Sequence, residues 1–462
     1  MKILFVLYDN DSHICFFPLG VAYLAAACRN AGHNVEIYQA DTHHWPTEHL
    51  TAHIDNGDYD VVGFGTCAGY YQYKKLLEIS KAVKNAKKKP FYVLGGHIAT
   101  PEPEYFLKKT EADAVVMGEG ELVLCDLLDA LSSSKDLSEV KGIAYLQEEK
   151  VYINERKPPC QNLDELPFPA YDLFEMDHYL LYAGISKRRS LRTISMLTGR
   201  GCPYFCTFCY RLEKGHRLRS CENIMEEVEM LVKKYDVNYL SFNDELFMAS
   251  PERAVELSEA FIRSGLNFEW GCAGRLNYAE PEVLATMKKS GCTWIGYGME
   301  SMDNEVLRKM NKDLTDEIIV RGVENTTNAG IMVGFNFIFG NLGDTPEALQ
   351  KSVDFLIKYD RQSQLRTIRP VTPYPGSPLY TMAIKKGLIR DCEDFYESKH
   401  TNSDLLTVNL TEMTDDEFYK SLHHANKQLI DNYNVCSQKN VYDALDKLYL
   451  ERDASFRGFR PV

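Results

Sequence analysis

Gly201-Cys202-Pro203-Tyr204-Phe205-Cys206-Thr207-Phe208-Cys209-Tyr210 places three cysteines within eight residues. The stretch follows ISMLTGRG (194–201), an apolar run that predicts a strand. Three thiolates on a loop at a strand end can wrap one face of a cubane cluster. Such soft ligands select iron–sulfur clusters or zinc. A structural site would close its coordination shell, and no fourth cysteine lies nearby. One position is therefore left for an exogenous chelate. Gly201 lets the backbone turn tightly into the loop. The bland alternatives are three buried thiols or a partial zinc site.

Downstream of the loop, helical and strand patterns alternate. The helix NIMEEVEMLVKKY (223–235) precedes the strand NYLSFND (238–244), and further helices precede FEWGCAG (268–274), TWIGYGME (293–300), IMVGFNFIFG (331–340) and LRTIRPVTPYPG (365–376). Six βα repeats predict a partial or full (β/α) barrel with its chemistry at the C-terminal strand ends. Beyond about residue 385 the pattern becomes helical and polar.

Upstream, KILFVLY (2–8), VEIYQA (35–40), YDVVGFGT (59–66), FYVLGG (91–96) and ADAVVMGEGE (112–121) alternate with helical segments. Strands too apolar to face water predict an open parallel sheet of the doubly wound, Rossmann-like type. A hairpin pattern at 141–155 is followed by CQNLDELPFPAYDLF (160–174), whose prolines and lack of helical period predict an inter-domain linker over the surface. The α/β organisation is thus a Rossmann-like domain over 1–140, a linker over 141–187, a barrel domain over 188–385 and a small helical region over 386–462.

The 462 residues suit two or three domains, and 45% hydrophobic residues suffice for sizeable cores. A net charge of −14 argues against general nucleic-acid affinity. Thirteen scattered cysteines read as reduced thiols rather than a disulfide framework. No apolar run is long enough to cross a membrane, and MKILFVLYDND reads as a buried strand rather than a leader, so a cytoplasmic protein is expected.

The pattern GCPYFCTFCY resembles that of the radical S-adenosylmethionine (SAM) superfamily. Pro18-Leu19-Gly20-Val-Ala-Tyr-Leu-Ala, Gly95-Gly96-His97-Ile-Ala-Thr100, Gly118-Glu-Gly120-Glu121, Leu166-Pro-Phe-Pro-Ala-Tyr and Thr372-Pro-Tyr-Pro-Gly-Ser-Pro378 are similar to the class B, cobalamin-binding branch of that superfamily. This branch contains the anaerobic magnesium-protoporphyrin monomethyl ester cyclase and many C-methyltransferases. The resemblance spans roughly 1–385.

The resemblance implies a [4Fe–4S] cluster on Cys202, Cys206 and Cys209, with SAM on the open iron and cobalamin in the N-terminal domain. It implies reductive cleavage of SAM to a 5′-deoxyadenosyl radical, hydrogen abstraction from a small-molecule substrate, and methyl transfer from methylcobalamin. The electron would come from an external donor such as flavodoxin or ferredoxin. Phe208 resembles the aromatic that packs on adenine. Asp244 and Glu245 could receive the methionine amine, and Glu300 could contact SAM. Arg275 could meet a carboxylate or form a plain salt bridge. Gly95, Gly96, Gly118 and Gly120 would admit the corrin tail, and Thr66 could bond the lower base.

One departure is visible. Asp11-Ser-His13 occupies the loop where a cobalt-ligating His-x-x-Gly stands in other cobalamin domains, but Phe16 replaces the glycine. His13 therefore reads as an exposed loop histidine, and His97 as a turn residue. Arg366 and Arg369 could face an anionic substrate or form structural salt bridges, and His423-His424 reads as a surface pair. Two other functions stay open: a radical cyclase or oxidative rearrangement enzyme without net methylation, and a non-catalytic cobalamin or metal-binding sensor.

Overall fold

Strand β1 (Lys2–Leu7) buries every residue after Lys2, as expected of a strand covered by helices on both faces. The computed structural model describes residues 1–182, 191–360, 365–453 and 455–456. The expected barrel start at 188, the linker's last residues 183–187 and the end of the helical region fall outside them.

Strands β1, β2 (Asn34–Gln39), β3 (Val61–Gly65), β4 (Phe91–Gly95) and β5 (Ala114–Val116) pair in parallel. The order β2-β1-β3-β4-β5 makes the predicted doubly wound sheet. The hairpin β6 (Ile143–Gln147) and β7 (Lys150–Ile153) was read as part of the linker. It instead pairs antiparallel with β5 and extends the first sheet to seven strands.

Strand β8 (Thr193–Met196) opens the second half. A short ribbon follows, β9 (Gly199–Gly201) against β10 (His216–Leu218). Then come β11 (Tyr239–Phe242), β12 (Glu269–Gly274), β13 (Cys292–Glu300), β14 (Met332–Phe339) and β15 (Arg369–Pro370). With β8 they form a six-stranded parallel sheet, order β15-β14-β13-β12-β11-β8, so the barrel is partial. Its helices start on strong caps. Ser250 and Thr345 accept the backbone N–H of Arg253 and Ala348, and each is followed by proline at the first helical position.

The segment 160–174 departs from the expected surface linker. Leu163, Ala170, Tyr171 and Phe174 are buried. The Ala170 N–H donates to the Ala22 carbonyl at 3.0 Å, and the Tyr171 hydroxyl donates to Glu227 Oε1 at 2.6 Å. Arg219 neutralises Glu227 at 2.5 Å. One core joins Leu7, Phe17 and Ala22 of the first half to Ile194, Met196 and Leu240 of the barrel through Tyr171 and Phe174. Irregular backbone here is packing material between two layers.

The C-terminal helix Asp415–Leu445 begins with a capping box between Thr414 and Glu417. Its buried residues, Phe418, Leu422, Ala425 and Leu429, follow helical spacing along its first half. Phe418 is fully buried and stacks on Phe339 of β14 at 4.7 Å between ring centroids. The expected surface pair His423-His424 is exposed on this helix. Phe418→Ala should destabilise the protein by about 3–5 kcal/mol. Urea unfolding followed by far-ultraviolet circular dichroism measures it, and an unchanged midpoint would mean the helix does not brace β14.

Candidate active site

The cysteine loop is held at both ends. Arg200 pairs with Arg217 across the ribbon, and Gly201 pairs with His216. Gly201 has φ +85°, and a Cβ there would collide with the Gly215 carbonyl, so only glycine fits this approach. Between the ribbon strands, the Thr207 N–H donates to Met310 O at 2.9 Å and its carbonyl accepts from Leu379 N at 2.9 Å.

Cys206 is buried, Cys202 is half-buried, and Cys209 opens to solvent. Desolvation raises the Cys206 thiol, opposed by Lys312 and Arg275. Desolvation and then the neighbouring Cys206 push Cys209 up to about 12. Burial thus biases both Cys206 and Cys209 towards the protonated thiol. A metal centre would exchange those protons for its own positive charge. Among the described residues no three His, Cys, Asp or Glu side chains converge to hold a single metal ion. A cubane spreads its ligands over separate irons and needs a wider triangle.

Beside the loop lies a buried charged group. Glu300 ends β13 with φ +69°, an uncommon conformation for a side-chain-bearing residue, next to a bulge in the β13–β14 pairing. Its Oε1 accepts from Lys312 Nζ at 3.0 Å, with both side chains 10% exposed. The Phe208 ring lies 5.5 Å from that ammonium and packs on Val306, Met310 and Ala348. The Arg275 guanidinium lies 3.3 Å above the Tyr204 ring and donates to the Lys312 and Asp313 carbonyls at 2.5 and 3.1 Å. Its resolved bonds therefore brace the turn that carries Lys312.

Asp244, after β11, is buried; its Oδ1 accepts from Thr198 N and Thr198 Oγ1, both at 2.9 Å. Its Oδ2 has no hydrogen-bond partner. Burial raises its pKa to about 6. Burial also raises Glu245, which accepts from the Gly201 backbone.

A cavity of about 490 Å³ opens between the C-terminal ends of the first sheet and the ribbon. Thr66, Gly95, Gly96, Gly118 and Gly120 line it, and Gly199, Arg200, Gly201 and Glu245 form its opposite wall. Gly96 has φ +81°, and a Cβ there would sit 2.7 Å from the Thr66 carbonyl. Deeper in, Phe5, Leu24, Val93 and Leu124 make an apolar slot. His97 also lines the cavity, edge-on to Tyr210 at 5.7 Å between centroids, and burial lowers its pKa. His13 is exposed and turns towards His44, outside the cavity.

Apart from Asp244, which is bonded to Thr198, the predicted residues form two groups. Thr66, Gly95, Gly96, Gly118, Gly120 and Glu245 share the cavity, whereas Glu300, Phe208 and Arg275 gather around Lys312. Sequence reasoning missed Lys312, Glu119, Arg200 and Arg217. Arg366 and Arg369 pair with Asp360 and Asp404, at 2.6 and 3.0 Å, as ordinary salt bridges.

Comparison with known proteins gives two family matches: the Radical SAM superfamily over residues 196–356, and the B12 binding domain over residues 10–128. The chain is 33% identical to an uncharacterized methyltransferase, PH0819, of Pyrococcus horikoshii, over 84% of each chain. It is 27% identical to the anaerobic magnesium-protoporphyrin IX monomethyl ester cyclase of Rubrivivax gelatinosus, over 82% of this chain and 68% of that one. The fold matches that of the radical SAM methyltransferase TsrM from Kitasatospora setae, with a TM-score of 0.73 at 16% identity, over 93% of this chain and 88% of that one.

Asp244 makes stability depend on pH. Its carboxyl rises from the ordinary 3.8 to about 6, so the folded state binds this proton more tightly than the unfolded state. Its contribution to stability falls as pH rises between those values and stays low above them. Asp244→Asn resembles the protonated form and does not ionise. The cofactor-free variant should exceed the wild type by about 3 kcal/mol at pH 7–8 and converge with it below about pH 4. Urea unfolding across that range measures the difference; parallel pH profiles would contradict it.

Proposed function

We infer the activity from one premise: this chain belongs to the radical SAM superfamily, in the branch that carries an N-terminal B12-binding domain. It is an enzyme, and its cofactors are a [4Fe–4S] cluster, SAM and cobalamin. We propose that it methylates an unactivated carbon of a small molecule. The observation that carries this reading is a shared wall. Gly199, Arg200 and Gly201 line the glycine-rimmed cavity and lead directly into Cys202. On this reading the cluster site and the cobalamin site abut.

Once bound, the cluster and SAM would supply one-electron hydrogen abstraction from the substrate, and the cobalamin would supply a transferable methyl group. In this reading Cys202, Cys206 and Cys209 hold the cluster. Lys312 and Glu300 offer a cation and an anion to the amino-acid end of SAM. The unpartnered Oδ2 of Asp244 offers a further acceptor for its amine. Phe208 supplies an apolar face beside Lys312.

Across the loop, the glycines at 95, 96, 118 and 120 let backbone approach the corrin, and the apolar slot suits its tail. The exposed position of His13 supports a cobalt site without that histidine as ligand. An external one-electron donor of the flavodoxin or ferredoxin type would reduce the cluster. Among the described residues no helix is long and apolar enough to cross a membrane.

Two variants test the reading in opposite directions. Cys206→Ala, reconstituted anaerobically with iron and sulfide, should lose the iron–sulfur absorbance and 5′-deoxyadenosine formation while still binding hydroxocobalamin. A Cβ at Gly95 meets only ordinary contacts, the nearest 3.6 Å away, so Gly95→Leu should fold and project its side chain into the cavity. It should keep the cluster and weaken cobalamin binding at least about tenfold, the scale of a 1–3 kcal/mol overpacking cost. Full SAM cleavage by Cys206→Ala, or unchanged cobalamin affinity in Gly95→Leu, would refute the corresponding site.

A further inference from the structure

The turn Gly118-Glu119-Gly120-Glu121 joins β5 to the helix Gly120–Ser132, and all four of its residues line the cavity. Its two carboxylates reach across to the ribbon. Glu119 Oε2 lies 3.2 Å from Arg200 Nη1 and accepts from Arg217 Nη1 at 3.0 Å, while its Oε1 pairs with Arg217 Nη2. Glu121 Oε1 pairs with Arg200 Nη2 at 2.7 Å. Exposure of these side chains runs from 8% to 15%. Arg200 also lies 4.9 Å from the Tyr23 ring, and Arg217 donates to the Cys160 carbonyl at 2.6 Å.

The two arginines face each other in the ribbon register, one at each end of the loop that carries all three cysteines. Glu213, inside that loop, pairs with Arg156 beside Gly118. The rim of one cofactor cavity is therefore ion-paired to both anchors of the other cofactor's loop. A ligand in the cavity would exclude water from these pairs and strengthen them, because charges attract more strongly at lower local dielectric.

We propose that Glu119, Glu121, Arg200 and Arg217 form a clamp that transmits filling of the cobalamin cavity to the cysteine loop. They are positioning residues: they set where the cluster stands relative to the corrin and stiffen that placement when cobalamin binds. The coupling is reciprocal, so an ordered cluster loop also favours cobalamin binding. This inference rests on the assignment of the cavity to cobalamin.

Hydrogen–deuterium exchange on the full-length, cluster-reconstituted protein, with and without hydroxocobalamin, tests it. In the wild type, hydroxocobalamin should slow exchange at 93–97, on the cavity rim, and by about fivefold or more at 202–211, the part of the loop that does not line the cavity. In Glu119→Gln/Glu121→Gln, protection at 93–97 should persist while the cobalamin-dependent slowing at 202–211 is lost. Glu119→Asp, which keeps the charge, should retain part of it. Exchange over β11–β13 reports that the variants are folded. If the double variant does not fold, Glu121→Gln alone removes one Arg200 bond and should reduce the slowing.

A merely structural contact would change loop exchange equally with and without hydroxocobalamin, and that outcome overturns the clamp. So does a wild type protected at 93–97 but not at 202–211. A wild type unprotected at 93–97 overturns the cobalamin assignment itself, and the clamp with it.

Discussion

A loop that presents three thiolates to one cluster must have both ends fixed, or the entropy of ordering it would oppose every metal–sulfur bond. The antiparallel ribbon of Gly199–Gly201 with His216–Leu218 supplies that constraint, and the glycine at 201 makes its closest approach sterically allowed. The remaining arrangement follows from the ribbon. It hangs between β8 and β11, so the cysteines stand at the C-terminal end of the partial barrel, near the strand ends that carry Asp244 and Glu300. Its other side closes the cavity over the first sheet. A short β-ribbon thus forms the partition between the cysteine loop and the cavity.

Burying charge around that partition is costly, and the protein limits the cost by pairing. Glu300 has Lys312, Glu227 has Arg219 and Tyr171, and Glu119 has two arginines. Buried pairs of this kind contribute little net stability, yet losing one partner strands a charge, so they specify geometry more than they strengthen the fold. Asp244 differs, because one of its oxygens has no hydrogen-bond partner and burial raises its carboxyl to about 6. A cationic amine near that oxygen would favour the ionised form.

Much of this was legible in residue order. The cysteine spacing, the alternation of apolar strands with amphipathic helices, and the glycines at strand ends are all local signals. What escaped was non-local or ambiguous. Prolines 167 and 169 correctly announced irregular backbone, but irregularity does not determine exposure, and Ala170 and Tyr171 are buried. The hairpin at 143–153 gave no sign that β5 was its partner. Arg200 and Arg217 meet Glu119 only because an antiparallel register sets them side by side, and Lys312 reaches Glu300 only because that residue adopts positive φ. Arg275 was recognised as an arginine at a strand end, while its carbonyl partners on the 312–313 turn depend on the tertiary path.

The shared core bears on how the cysteine loop and the cavity keep their spacing. If the halves separated like hinged lids, Phe17, Tyr171 and Phe174 would lose their packing and fully buried Glu227 would face water without its tyrosine. Apolar area costs about 25 cal/mol per Å² to expose, so opening three such aromatic side chains opposes separation by several kcal/mol before any ion pair breaks. The segment between the halves therefore acts as a weld. Folding itself sets the distance from the cysteine loop to the cavity, and the motions left to the site are those of the loop and the turn that face each other across the ribbon.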